Sequence, residues 1–325
     1  MRLTFPGFVD LQVNGFGGVD FNRPALAVAQ AGDALDRMRA TGVTRCLPTL
    51  ITSSFEDFAV RARAIVTLEH PAVAGIHMEG PYLSPEDGPR GAHPRAHLTS
   101  ATIEDFRRRQ EAAAGLIRLV TLAPEVPGAL SLIEYLVQAG VRVAIGHTAA
   151  EPPAIADAIS AGATLATHLG NGCAAVLPRH PNVIWELLAA DDVLASLIVD
   201  GHHLPPSTVK SLVRAKSPRR TVLITDAISA AGSVPGRYTL GDVAAELGAD
   251  GRVSLPGTPY LAGSSLTMDR AIGNAARFTG LPLDQIVPMA STIPAAYLGI
   301  SMRGTVTADW DPLECRLHVT NVTDE

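Results

Sequence analysis

Five short apolar segments of this chain end in a residue that can move a proton or hold a cation. His-Met-Glu-Gly offers Glu79, Gly-His-Thr offers His147, and Thr-His-Leu offers His168. Asp-Gly-His-His offers His202 and His203, and Thr-Asp-Ala offers Asp226. Two imidazoles and one carboxylate are a common ligand set for a catalytic divalent ion, and they leave a position for water. Such an ion lowers the pKa of water toward neutrality. A separate carboxylate can then be general base toward the water and general acid toward a leaving amine. With Glu79 among the ligands, Asp226 is the carboxylate left for that work. Singly, each residue has a plainer use. A lone strand histidine is ordinarily a satisfied core or surface group, Glu79 could pair with Arg90, and Asp226 could cap a helix. Together they point to a site, because such side chains are costly to bury unpaired.

These residues need a scaffold that brings distant strand ends to one place. Apolar, β-branched runs recur at Gly7–Gly15, Arg45–Leu50, Val73–Gly80, Ile117–Glu125, Val141–Thr148, Ala163–Asn171, Leu194–Gly201 and Thr221–Ala227. Helical spacing fills the intervals, as in Ala25–Ala40, Phe55–Leu68, Thr102–Ala114, Leu130–Ala139, Pro153–Ala161 and Ser207–Ala215. Gly140 and Gly162 stand where C-terminal caps belong. Eight strand–helix units in series predict a parallel sheet closed into a (β/α)8 TIM barrel, with an open doubly wound sheet as the alternative. In such a barrel the strands' C-terminal ends form the active-site mouth. Two insertions interrupt the rhythm: Pro81–Leu98, and Ala230–Ala262, which reads as a small β-hairpin region. Helical patterns follow at Thr267–Thr279 and Leu283–Ile300, and the tail from Arg303 reads as irregular. The domain division is a catalytic barrel over 1–302 and a C-terminal tail over 303–325.

Composition narrows the function classes. Apolar residues make up 47% of the 325 and charged residues 18%, which supports a large core. The net charge is −6, with no basic stripe for a nucleic-acid backbone. Arg107, Arg108 and Arg109 read as a solvated helix face. Three cysteines without a CxxC pair favour a reducing compartment. No segment reads as a signal peptide or membrane span, so a soluble, cytoplasmic protein is expected. Three weaker features have structural readings. Asn14-Gly15-Phe16-Gly17-Gly18 lacks a dinucleotide or P-loop spacing and reads as a tight turn near the site. Gly263-Ser264-Ser265 reads as the start of the last helix, with a serine cap. Cys173 reads as a buried, inert thiol.

The chain also resembles the N-acetylglucosamine-6-phosphate deacetylase family of the amidohydrolase superfamily, from about Pro6 to Ile300. The segments that carry the resemblance are PGFVDLQVNGFGGVDFN, LPTLIT, HMEGPYLSPEDGPRGAHP, VTLAPE, GHTAA, ATHLGN, VDGHH, LITDA and LAGSSLTM. It implies hydrolysis of the N-acetyl group of an amino sugar phosphate. Glu79, His147 and His168 would hold one divalent metal ion per chain, zinc first and iron or another divalent ion as alternatives. Asp226 would be the catalytic acid/base, and His93 would polarise the acyl carbonyl. Asn171, the backbone at Gly172, and His203 would hold the phosphate. Arg179 would reach the phosphate of the neighbouring subunit in a homodimer. Asp10-Leu11-Gln12 stands where many amidohydrolases carry His-x-His, as in the family's single-metal members. Asn171-Gly172-Cys173 and Arg179-His180-Pro181-Asn182 depart from the family's usual Asn-Ala-Met and Arg-Glu-Pro-Gly, and His202 is additional. The family's flanking β-domain is reduced to Arg303–Val319. The partner is a small-molecule substrate. Alternatives are a deacylase for another N-acyl amino sugar or amide, and a non-catalytic sugar-phosphate binding protein.

Overall fold

In a computed structural model describing residues 1–258 and 260–324, eight strands form one sheet in chain order. They are Phe8–Val13, Val43–Ile51, Ile76–Glu79, Ile117–Leu122, Arg142–Ile145, Leu165–Ala166, Leu194–Ile198 and Thr221–Ile224. All neighbouring pairs are parallel. The first and last strands meet at their C-terminal ends. There Val13 bridges Ala227, Asp226 N donates to Gln12 O at 2.9 Å, and Asn14 N donates to Ala227 O at 2.7 Å. This contact brings the ends of strands one and eight together at the mouth, so the sheet is a nearly closed (β/α)8 barrel rather than an open one. The sixth strand is much shorter than its apolar run, because the chain leaves the sheet just after Ala166.

Helix starts follow local chemistry. Ser54 and Thr102 cap Phe55–Leu68 and Ile103–Ala112 by accepting from Asp57 N and Asp105 N. Both helices carry two acidic residues in the first turn, where the helix dipole favours negative charge. Helices Ala129–Gln138 and Pro152–Ser160 are each followed, two residues on, by a glycine of positive φ, Gly140 (74°) and Gly162 (110°). Between the sixth and seventh strands lies the seven-residue helix Val183–Ala189, capped by Asn182 at its start. At its end the buried Lys216 ammonium donates to Leu187 O at 2.7 Å and Ala190 O at 2.5 Å, satisfying carbonyls that the helix leaves open.

The insertion after strand eight holds the expected β-hairpin, Gly236–Leu240 with Val243–Leu247, and a third antiparallel strand, Val253–Ser254, packed on Ile51 and Ile228 through Leu240, Leu247 and Val253. Several other expectations are corrected. The tail is not irregular. Thr305–Asp311 and Arg316–Thr323 pair with each other, and Arg2–Pro6 adds the third strand. The tail's regularity depends on a partner some 300 residues away, which local patterning does not reveal. Leu283–Ile300 is broken into Leu283–Ile286, a tighter turn at Val287–Ala290, and Thr292–Leu298; Pro288 and Pro294 lack the N–H a continuous helix needs. Arg109 is not solvated: it is buried, bonds Asp105 at 2.8 Å and stacks on Phe58. Ser264 does not cap the helix that follows it, which begins at Met268 after Thr267. It belongs to the barrel, where its N–H and hydroxyl donate to Asp226 O and Thr225 O.

Candidate active site

Glu79 is the last residue of its strand, whereas His147, His168 and Asp226 each lie two residues past theirs. Those three adopt left-handed backbone, at φ 50°, 32° and 50°. For side chains with a Cβ this costs roughly 1–3 kcal/mol each, so surrounding contacts must impose it. The contacts are present. Ser196 Oγ accepts from His168 N at 2.8 Å, Ser84 N donates to His147 O at 3.0 Å, and Gln12 O takes the Asp226 N–H. Beyond His147, Glu125 clamps the loop by accepting from Thr148 Oγ1 at 2.6 Å and Ala149 N at 2.7 Å.

The result is a tight convergence of donors. Glu79 Oε1 lies 3.3 Å from His147 Nε2 and 3.1 Å from His168 Nε2, and the two nitrogens are 3.1 Å apart. Ligands sharing one tetrahedral ion at about 2.1 Å would lie roughly 3.4 Å apart, so the spacing fits a single divalent ion. The protonation pattern fits too. Pro89 O can only accept, so His147 Nδ1, 2.8 Å away, carries a proton, and Nε2 is the nitrogen that a bound ion would take. Burial opposes a charged Glu79, but hydrogen bonds from His147 and His168, then the charge of His147, hold it well below the usual carboxylate range. Burial likewise opposes a charge on His147, but Glu79 raises it above the ordinary imidazole value. Among the described residues these three form the one group of His, Cys, Asp and Glu fit for a metal ion.

Asp226 stands beside this group. Its Oδ1 accepts from Asn14 Nδ2 at 2.7 Å and Gln12 Nε2 at 3.1 Å, and the same Gln12 nitrogen lies 2.9 Å from Glu79 Oε1. Burial, then the charge of Glu79, pushes the Asp226 carboxyl up to about 6. His93 packs edge-on against His147, with ring centres 4.4 Å apart, and its Nε2 is 3.7 Å from Glu79 Oε2. Its Nδ1 meets Thr52 Oγ1 at 2.9 Å. Burial, then the charge of His147, lowers its pKa to about 3, so the ring is neutral. Below lies a polar floor. His77 bonds Leu11 O at 3.1 Å and Thr121 Oγ1 at 2.8 Å, and Thr121 Oγ1 meets Thr167 Oγ1 at 2.7 Å.

A cavity of about 950 Å³ opens over these groups, and Asn171, Gly172 and His203 line its wall. Arg179 is exposed and does not line that cavity. His202 points elsewhere, with Nε2 3.3 Å from Asp250 O. Arg90 pairs with Asp87 rather than Glu79. Cys173 is only half-buried and lines the cavity; burial raises its pKa, so it is a thiol rather than a thiolate. The amides of Gln12 and Asn14 were missed as working parts. Their signal was the i, i+2 alternation Asp10, Gln12, Asn14, which places three polar side chains on one buried strand face.

Residues 3–312 match the Amidohydrolase family. The N-acetylglucosamine-6-phosphate deacetylase of Bos taurus is 36% identical over 333 residues, covering 97% of this chain and 80% of that protein. The N-acetylgalactosamine-6-phosphate deacetylase of Shewanella sp. (strain ANA-3) is 34% identical, covering 94% and 77%. Among solved structures, a mutant N-acetyl-D-glucosamine-6-phosphate deacetylase from Mycobacterium smegmatis, in complex with N-acetyl-D-glucosamine-6-phosphate, superposes with a TM-score of 0.90 at 33% identity. That match covers 99% of this chain and 86% of the other. Family match, relatives and barrel agree: the chain is a member of the amidohydrolase family, a hydrolase acting on amide bonds.

Proposed function

We propose that the protein hydrolyses N-acetylglucosamine 6-phosphate to glucosamine 6-phosphate and acetate, with one divalent ion held by Glu79, His147 and His168. The observation that carries this reading is the coupling of that donor set to Asp226 through the Gln12 amide. When bound, the ion, here read as zinc, supplies Lewis acidity to the acyl carbonyl and to water. Asp226 does the proton work. Two amides occupy its Oδ1, so Oδ2 is the atom that takes a proton from the attacking water and returns it to the sugar nitrogen as the C–N bond breaks. His93 Nδ1 meets the Thr52 hydroxyl, and in this reading that hydroxyl turns its proton to Nδ1, which leaves the ring proton on Nε2 for the acyl oxygen.

His203, the Asn171 side chain and the Gly172 backbone hold the phosphate in this reading, and Arg179 completes the site of a partner subunit in a homodimer. Its exposure away from its own cavity supports that placement. The compartment is the cytoplasm; no helix among the described residues is long and apolar enough to cross a membrane. A second reading, the galactosamine epimer, is favoured by the Shewanella relative. Initial rates on both N-acetyl hexosamines, each with and without the 6-phosphate, separate the two. The account expects the gluco 6-phosphate to give the highest kcat/KM, and preference for an unphosphorylated amide contradicts it.

A further inference from the structure

The loop after the seventh strand reads Asp200-Gly201-His202-His203, and its hydrogen bonds treat the two histidines differently. Asp200 Oδ1 accepts the backbone N–H of both, each at 2.8 Å, closing a tight turn that Gly201 permits at φ 85°. Asp200 Oδ2 then takes one ring only, lying 2.7 Å from His203 Nδ1. That pair is nearly enclosed, with side chains 10% and 7% exposed. Burial pushes the Asp200 carboxyl up, but the His203 bonds and charge outweigh it and hold it below the ordinary range. A carboxylate can only accept, so the proton on His203 is fixed at Nδ1 and Nε2 is the nitrogen left for a ligand. His203 lines the cavity and His202 does not.

We propose that Asp200 is a positioning residue for phosphate recognition, which makes His203, and not His202, the histidine that meets the substrate's 6-phosphate. The inference rests on the reading of His203 as a phosphate ligand. A histidine on a loop is free to turn about its χ2 and to exchange tautomers. Asp200 removes both freedoms with the same group that folds the turn. It also supplies the counter-charge that a doubly protonated ring needs in an enclosed place, and only that form donates from Nε2 while Nδ1–H stays on Asp200. Charged donors of this kind form the strong bonds to phosphate oxygens. Discrimination between phosphorylated and plain sugars then depends on a residue that never touches the substrate.

The test uses metal-loaded enzyme and both N-acetylglucosamine 6-phosphate and N-acetylglucosamine. In Asp200→Asn the amide oxygen can still accept the two backbone N–H groups, but its nitrogen offers protons to Nδ1, reversing the ring and removing the counter-charge. The expected result is a rise in KM for the phosphorylated sugar of about tenfold to a hundredfold, the loss of one bond to a charged group. The KM for the plain sugar, kcat and metal content should stay near wild type. Asp200→Glu, which keeps an accepting carboxylate, should recover most of the selectivity. A uniform KM change on both sugars, or a Glu variant as unselective as the Asn variant, overturns the proposal. His203→Ala separates the two levels. If it loses phosphate selectivity while Asp200→Asn keeps it, the positioning role fails and the phosphate reading stands; if His203→Ala keeps selectivity, both fail.

Discussion

The side-chain amide nitrogen of Asn14 lies 2.7 Å from Asp226 Oδ1, closer than the Gln12 amide at 3.1 Å. Asn14 is thus the nearer of two donors that fix one carboxylate oxygen and leave the other for chemistry. Asn14→Leu removes that donor without touching a metal ligand. Turnover should fall about tenfold or more, the range for a lost hydrogen bond to a charged group, with metal content unchanged. Steady-state kinetics on fully loaded variant protein checks it, and wild-type turnover would show that Asn14 does not serve Asp226.

Asp226→Asn tests the carboxylate itself. The amide keeps the shape but cannot shuttle a proton. Turnover should drop by about two orders of magnitude or more, as for a lost general acid/base, while the ion is retained. Metal analysis beside single-turnover rates separates this outcome from loss of the ion.

Beneath the site, Asp10 makes stability depend on pH. Burial raises its carboxyl from 3.8 to about 7, against the opposing bonds from Thr225 and Gln12 N. The folded value lies above the unfolded one, so the folded chain holds the extra proton between them. The contribution is full below about pH 4 and is lost as pH rises toward 7. Relative to Asp10→Asn, wild-type melting temperature should therefore decline between pH 4 and 7. A constant gap between the two proteins across that window would remove Asp10 from the linkage.

Arg179 carries the prediction about assembly. It is exposed and lies outside its own cavity lining. Arg179→Ala should raise KM for the phosphorylated sugar far more than for the plain one, and wild type should be a dimer by light scattering. Full activity in a monomer rules the arrangement out.

The sequence made the barrel and its chemistry visible because both are periodic and chemically marked. Apolar runs alternate with helical spacing, and ionisable residues sit where strands stop. Glu79, His147, His168 and Asp226 could therefore be picked out before their geometry was known. Gln12, Asn14 and Asp200 were harder. Amides and a loop aspartate are common in plain structural roles, and their partners lie on other strands or in a turn that only folding creates. The terminal sheet was hidden for the same reason, since Arg2–Pro6 finds Thr305–Asp311 only in the folded chain. Arg109 misled because its stacking on Phe58 and its pairing with Asp105 depend on a neighbouring helix as well as its own.

The central claim is that Glu79, His147 and His168 together hold the ion on which amide hydrolysis depends. Metal content measured alongside deacetylation, on purified wild type, His147→Ala and His168→Ala, addresses it most directly. The account predicts about one divalent ion per chain in wild type, and loss of most of the ion and nearly all activity in both variants. Variants that keep a full ion and hydrolyse N-acetylglucosamine 6-phosphate at the wild-type rate would contradict it.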